Sequence, residues 1–220
     1  MTSVFATLEP AEITEVTTTK SCHQIHRGDA VFSEGQYPRG LHCIHHGHIK
    51  LVRYGRDGRE QIIRFAGAGD TIGYAAMITG QPYTISAIAV ESSAVCFVPN
   101  ENIHRYLRDN PQLSLRVLQL MSHELQDTER RIVELAQKSV RERVAEALLV
   151  LRSTFGTDDD GETLNMPLTR EEIADIVGTA PESLIRMLSE FKADHVIETV
   201  GRRIKVKNVE ALRIAADLEF

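Results

Sequence analysis

Glu182, Ser183 and Arg186 stand close together in the segment LTREEIADIVGTAPESLIRMLSEF, residues 168–191. At helical spacing the three share an outer face in the amino-terminal half of the second of two short helices. An arginine there can donate two hydrogen bonds to O6 and N7 of guanine, the glutamate can accept from N4 of cytosine and orient the arginine, and the serine can serve a base or a phosphate. Beyond them, GRRIKVK supplies Arg202, Arg203, Lys205 and Lys207, cations suited to phosphate oxygens. Thr169 and Arg170, with the free amides of the first helix's opening turn, suit the same oxygens. Together this is duplex chemistry: a helix that reads base edges beside a clamp that holds the backbone. Singly, each part is ordinary, and a Glu–Arg pair at this spacing is commonly an exposed helix pair worth a few tenths of a kcal/mol.

The elements that must position these side chains are legible nearby. Thr169 and Glu172 form a capping box ahead of an inward stripe of Ile173, Ala174 and Val177, and Gly178 ends that helix. Pro181 opens the next, which buries Leu184, Leu188 and Phe191. HVIETVGRRIKVK then reads as two short strands about a turn at Gly201 and Arg202, followed by a closing helix in ALRIAADLEF.

Upstream, residues 21–99 are rich in β-formers and punctuated by glycine. LVRY and EQIIRF flank GRDGR as a hairpin in which Gly55 and Gly58 can supply positive φ. Gly69, Gly73 and Gly80 mark a loop with one short helix, and the whole stretch predicts a jelly-roll-like β-barrel. Strong helix formers then run from Pro111, with an apolar seam of Leu118, Met121, Leu125, Thr128, Ile132 and Leu135. Such a seam must pack against the barrel, another chain, or both. A second helix from Val140 to Arg152 follows, and GTDDDGE reads as a solvated loop.

At 220 residues and 42% hydrophobic the chain can bury a core in one large domain or two modest ones. Its formal charge of -6 argues against a polyanion-attracting surface overall, so nucleic-acid contact must come from a local patch. Three widely spaced cysteines do not form a secreted disulfide framework. MTSVFATLEPAEI lacks the features of a signal peptide, and no run approaches the length of a membrane span. A cytoplasmic protein with no membrane partner is expected. The absence of HExxH and P-loop motifs argues against an enzyme.

Over nearly its whole length the chain resembles the Crp/Fnr superfamily of bacterial transcription regulators, most specifically in LTREEIADIVGTAPESLIRML. The resemblance implies an α+β architecture: a cyclic-nucleotide-binding-like barrel over residues 1–110, a dimerisation helix over 111–137 carrying the seam above, and a winged helix-turn-helix over 138–220. It implies a homodimer that binds double-stranded DNA at a palindromic operator, switches with an effector in the barrel, and has RNA polymerase as a candidate partner. Glu182 and Arg186 fall where the family reads a G·C-containing half-site. Pro181 replaces a polar contact residue, which implies a shifted operator preference, and Ile185 replaces another base contact. The alternative is a ligand-binding or protein-interaction module with a degenerate helix-turn-helix.

Relatives that bind cyclic AMP use a glutamate for the ribose and an arginine before serine or threonine for the phosphate. In GDTIGYAAMITGQPYTISA, Tyr74 stands for the glutamate and Tyr83 or Thr84 for the arginine, with no Lys or Arg between Arg64 and Pro99. No tight cyclic-AMP binding is expected, because a buried phosphate would lack its bidentate partner. Gly73, Tyr74, Tyr83, Thr84 and Ser86 are the expected lining of a pocket for an unidentified small-molecule effector. The composition of CHQIH and LHCIHHGH leaves a metal or haem open. Strand alternation, however, separates His42, Ile44 and His46 from Cys43 and His45, so no metal site is assigned. An iron–sulfur cluster of the oxygen-sensing kind needs four cysteines and is not expected.

Overall fold

The computed structural model describes residues 20–166 and 168–217. The amino-terminal segment MTSVFATLEPAEI and the end of ALRIAADLEF lie outside the described residues. The chain divides into two compact units, Met1–Thr128 and Glu129–Phe220, and the boundary falls inside the long helix.

The first unit holds eight strands among the described residues: β1 (Ser21–Ile25), β2 (Ala30–Phe32), β3 (Gly40–His46), β4 (Ile49–Tyr54), β5 (Glu60–Ala66), β6 (Thr71–Ile72), β7 (Ser86–Ala89) and β8 (Ser93–Pro99). They form two antiparallel four-stranded sheets, ordered β1-β8-β3-β6 and β2-β7-β4-β5. The expectation of a β-barrel is therefore corrected. Among the described residues each sheet ends in its own edge strands, and no hydrogen-bonded ladder closes one onto the other. Strand periodicity dictates which side chains face inward; it does not dictate which edges pair.

Alternation on β3 and β8 divides two cores. Ile44 and Val95 sit opposite each other and join Phe32, Ile49, Leu51, Ile72 and Tyr83 in one cluster. Leu41 and Val98, also opposite each other, face the other way and pack with Tyr74, Met77, Ile103, Tyr106, Leu113 and Val117. The second cluster draws on helices α1 (Tyr74–Thr79), α2 (Asn100–Asp109) and α3 (Pro111–Gln137). Asn110 caps α3 by accepting from the Leu113 amide at 3.1 Å, with Pro111 in the first turn as expected. In the β4–β5 hairpin only Gly58 takes positive φ, at 76°. A register shift between Ile44 and His46 breaks the expected alternation, leaving His45 and His46 both exposed. The odd cysteine count also conceals a cross-link, because Cys22 and Cys96 are disulfide-bonded across β1 and β8.

The second unit contains α4 (Val140–Phe155), α5 (Arg170–Val177), α6 (Pro181–Ala193), β9 (Ile197–Val200), β10 (Arg203–Val206) and α7 (Val209–Ala215). Both α4 and α5 open on complete capping boxes, Ser139 with Glu142 and Thr169 with Glu172. Val144, Leu148 and Leu151 of α4, Ile173 of α5, and Leu184 and Phe191 of α6 form the fully excluded core.

Within the first unit His42 lies among aromatic rings, 5.5 Å from Phe32 and 5.2 Å from Phe97 between centroids. Burial lowers its pKa from 6.5 to about 4. The unfolded chain therefore binds the extra proton first, and stability is lost as pH falls from about 6.5 to about 4. The loss is on the order of 3 kcal/mol at most. In urea unfolding across this window, His42→Gln is expected to flatten the pH dependence relative to the wild type; an unchanged slope would show that His42 is not held neutral.

Candidate nucleic-acid interface

Two backbone devices set the angle between α5 and α6. Gly178 ends α5 in the left-handed region (φ 69°, ψ 48°), and its amide donates to the Ala174 carbonyl. The last carbonyls of α5 then meet arginines: Arg131 Nη2 donates to Ile176 O at 2.9 Å and Arg143 Nε to Val177 O at 3.1 Å. Helix-end carbonyls that would lack partners are thereby satisfied by cations, which also complement the helix dipole. Sequence reasoning missed both arginines, because their partners lie 45 and 34 residues away.

Helix α6 starts at Pro181, and Ala180 at its N-cap offers no side chain to cap the first turn. Leu184, Met187, Leu188 and Phe191 bury its inner face. Arg141 lies over the Phe191 ring at 4.3 Å and ion-pairs with Glu190 at 3.0 Å and Asp194 at 2.6 Å, which clamps the helix's carboxyl end. The phase so imposed leaves Glu182, Ile185, Arg186 and Ser189 exposed, with Ser183 half-buried on the flank. Among the described residues neither Glu182 nor Arg186 is tied to another side chain. Both are therefore available to an incoming partner.

The expected backbone-contact residues divide. Thr169 Oγ1 accepts from the Glu172 amide at 3.2 Å, so its oxygen serves the cap and its proton remains to donate. Arg170 is half-buried, and desolvation lowers its pKa. Arg202 is exposed at the wing turn. Arg203, Lys205 and Lys207, in contrast, are each matched to an acid. The segment expected as a solvated loop runs antiparallel beside β10, with the Leu164 amide donating to Ile204 O and the Val206 amide to Glu162 O, both at 2.9 Å. Arg203 pairs with Asp158, Lys205 with Asp160 at 3.0 Å and Lys207 with Glu162 at 2.6 Å. Asp160 also accepts from the Thr163 hydroxyl and from the Thr163 and Glu162 amides, which hold its carboxyl far below the usual range. Three cations facing three carboxylates leave this ladder formally neutral.

In the first unit, the residues expected to line an effector pocket are not gathered in one place. Tyr83 stacks on Phe32 at 3.9 Å between centroids, and Gly73 (φ 88°) approaches so closely that a Cβ there would lie 3.3 Å from the Tyr83 ring. Ser86 is buried, and its hydroxyl accepts from the Glu34 amide at 2.9 Å. Thr84 is exposed. Tyr74 belongs to the other cluster, with Met77, Ile103 and Val117. Burial raises its phenol's pKa and the neighbouring Glu124 carboxylate raises it further. Glu124 in turn pairs with Arg64 at 2.5 Å. This link between α1, α3 and β5 had no local signal in the sequence. Among the described residues no group of three or more His, Cys, Asp or Glu stands together as a metal site. No helix there is long and apolar enough to cross a membrane.

A paired-helix unit followed by a wing, in one chain with a two-sheet unit, is the architecture of a class of DNA-binding proteins. Residues 22–110 match the cyclic nucleotide-binding domain and residues 142–214 the Crp-like helix-turn-helix domain. The chain is 29% identical over 210 residues to the CRP-like cAMP-activated global transcriptional regulator of Mycobacterium tuberculosis, covering 95% of this chain and 94% of that one. It is 31% identical to the fumarate and nitrate reduction regulatory protein of Vibrio cholerae, covering 84% and 74%. FixK2 from Bradyrhizobium japonicum shares the fold, with a TM-score of 0.79, 20% identity, and coverage of 91% and 99%. The chain belongs to the Crp/Fnr family and is a DNA-binding transcription regulator, not an enzyme.

Exposed ion pairs contribute little to stability, about 0–1 kcal/mol each. The effect of the wing ladder should therefore appear in DNA binding. The double variant Asp158→Asn, Glu162→Gln frees Arg203 and Lys207 while leaving the turn-forming Asp160 intact. Its binding to random-sequence duplex is expected to tighten, and log K against log salt to steepen by about 0.9 for each phosphate newly contacted. Binding titrations across a salt series would show an unchanged slope if the ladder does not restrain these cations.

Proposed function

We propose that the protein acts as a homodimer that binds a palindromic operator, with Glu182 and Arg186 of α6 reading base edges in each half-site. The observation that carries this reading is the phase of α6: its apolar residues are committed inward, whereas Glu182 and Arg186 are exposed and, among the described residues, tied to no other side chain. Ser183 on the flank suits a phosphate or a neighbouring base. Thr169, Arg170 and Arg202 are proposed for the backbone, with Arg203 and Lys205 joining once released from their acidic partners.

The dimerisation surface proposed is the outer stripe of α3. Leu118, Leu125, Ile132 and Leu135 are 60%, 60%, 61% and 47% exposed on a helix whose other face buries Leu113 and Val117. Met121 lies at the margin of the stripe, and Thr128 within it bonds back to the Glu124 carbonyl. A parallel pair of such helices would present two reading helices about one DNA turn apart, roughly 34 Å. RNA polymerase is the proposed further partner.

For the sensor we propose a small-molecule effector other than cyclic AMP. The Phe32–Tyr83 stack occupies the inner cluster, and no Lys or Arg lies between Arg64 and Pro99 to pair with a buried phosphate.

After selection of bound duplexes from random DNA, Arg186→Ala is expected to lose about 1–3 kcal/mol on the selected operator and little on scrambled duplex. Equal loss on both sequences would remove its base-reading role. In calorimetric titration of the full chain, cyclic AMP at millimolar concentration is expected to give no saturable heat and no change in operator affinity. A stoichiometric isotherm would overturn that exclusion.

A further inference from the structure

Three sulfurs lie in one row across the sensor sheet. Register sets Cys22 of β1 opposite Cys96 of β8, Cys96 opposite Cys43 of β3, and Cys43 opposite Thr71 of β6. Residues directly opposite in antiparallel strands project from the same face with Cβ atoms about 4.5–5.5 Å apart. The row therefore shares the face of Leu41 and Val98. Cys43 packs there against the cluster that includes Leu113 and Val117 of α3. Cys22 and Cys96 are joined; Cys43 is a free thiol whose sulfur lies 3.9 Å from the Thr71 hydroxyl.

We propose that this row is a thiol–disulfide exchange site for low-molecular-weight thiols or dithiol proteins, with Cys96 the sulfur shared between two alternative cross-links, β1–β8 and β3–β8. Cys22 is exposed and Cys96 is buried, so an external thiolate attacks Cys22 Sγ. The Cys22–Cys96 bond breaks, Cys96 leaves as a thiolate and takes a proton, and Cys22 carries a mixed disulfide. A second external thiolate attacks the external sulfur of that mixed disulfide. The external disulfide is released and Cys22 takes a proton, so two electrons and two protons enter the protein.

The internal route needs no external oxidant. The Cys43 thiolate attacks Cys96 Sγ, the bond to Cys22 breaks, and Cys22 takes up the proton that Cys43 lost. Register places Cys22 and Cys43 on opposite sides of Cys96, so attacking and leaving sulfurs flank the central one. Burial raises the pKa of the Cys43 thiol, which keeps it protonated and the Cys22–Cys96 bond in place at neutral pH. Either route removes the covalent tie on β1, which among the described residues is an edge strand whose ladder partner is β8. This inference is independent of which DNA the protein reads.

The test uses the full chain equilibrated in glutathione buffers of graded ratio, trapped with alkylating reagents of different mass before and after reduction, and mapped by peptide mass. In the wild type, linked Cys22–Cys96 peptides are expected under oxidising conditions and free Cys22 and Cys96 under reducing ones. Cys43→Ser is expected to keep the first link, and Cys22→Ser to form Cys43–Cys96. Amide hydrogen exchange over residues 21–25 should quicken once the tie on β1 is lost. If Cys22→Ser does not fold, oxidised wild type taken to alkaline pH supplies the same readout: the free label should move from Cys43 to Cys22. Single alkylation of all three cysteines at every ratio would overturn the site. A folded Cys22→Ser without the new link, or a free label that stays on Cys43 at alkaline pH, would overturn the exchange.

Discussion

The surface proposed to read DNA depends on the burial of one side of α6. A helix has a single rotational degree of freedom about its axis, and Leu184, Met187, Leu188 and Phe191 remove it by filling the core of the second unit. Turning the helix by one residue, about 100°, would expose those side chains and draw polar ones inward, at a cost of roughly 1.5–3 kcal/mol for each large apolar group left in water. Arg141 adds a second constraint at the other end, with its guanidinium over Phe191 and its nitrogens on Glu190 and Asp194. Glu182 and Arg186 therefore face outward because the opposite face is spoken for, without any interaction of their own to hold them there.

Electrostatics is organised by the same economy. The protein is acidic overall, with 31 acidic against 25 basic residues. The cations of its wing are not a free patch, because an acidic hairpin lies along β10 and matches them one for one. Such pairs are weak in water and open readily when a phosphate offers a better partner. A surface built this way attracts polyanions less than its lysine and arginine count suggests. Under the proposed function, recognition then leans on Glu182 and Arg186 of α6 and less on indiscriminate charge.

Much of this was legible in the sequence where the signal is local. The capping box at Thr169, the stop at Gly178, the start at Pro181 and the wing turn at Gly201 all depend on residues within a few positions of one another, and all appear where the pattern places them. The acidic ladder was not legible, because its partners are 45 residues apart and become neighbours only when the hairpin docks on β10. The Cys22–Cys96 pairing spans 74 residues and depends on the register of β1 on β8. Closure of the sheets was misjudged for a related reason: alternation reports facing, whereas closure is a property of edges.

Tyr74 shows how a residue can be noticed for the right reason and placed on the wrong surface. The resemblance places it in an expected effector pocket, and Gly73 before it is held in a left-handed turn against Tyr83. That turn starts α1, and the first helical side chain swings out of the inner cluster into the layer shared with Ile103, Leu113 and Val117. There the phenol meets Glu124, which Arg64 neutralises from β5. Both charged side chains are only half-buried, so the pair serves chiefly to orient the groups around the phenol. The three residues together link the middle of α3 to α1 and to β5. A residue expected in the effector pocket thus packs instead in the layer that holds the long helix.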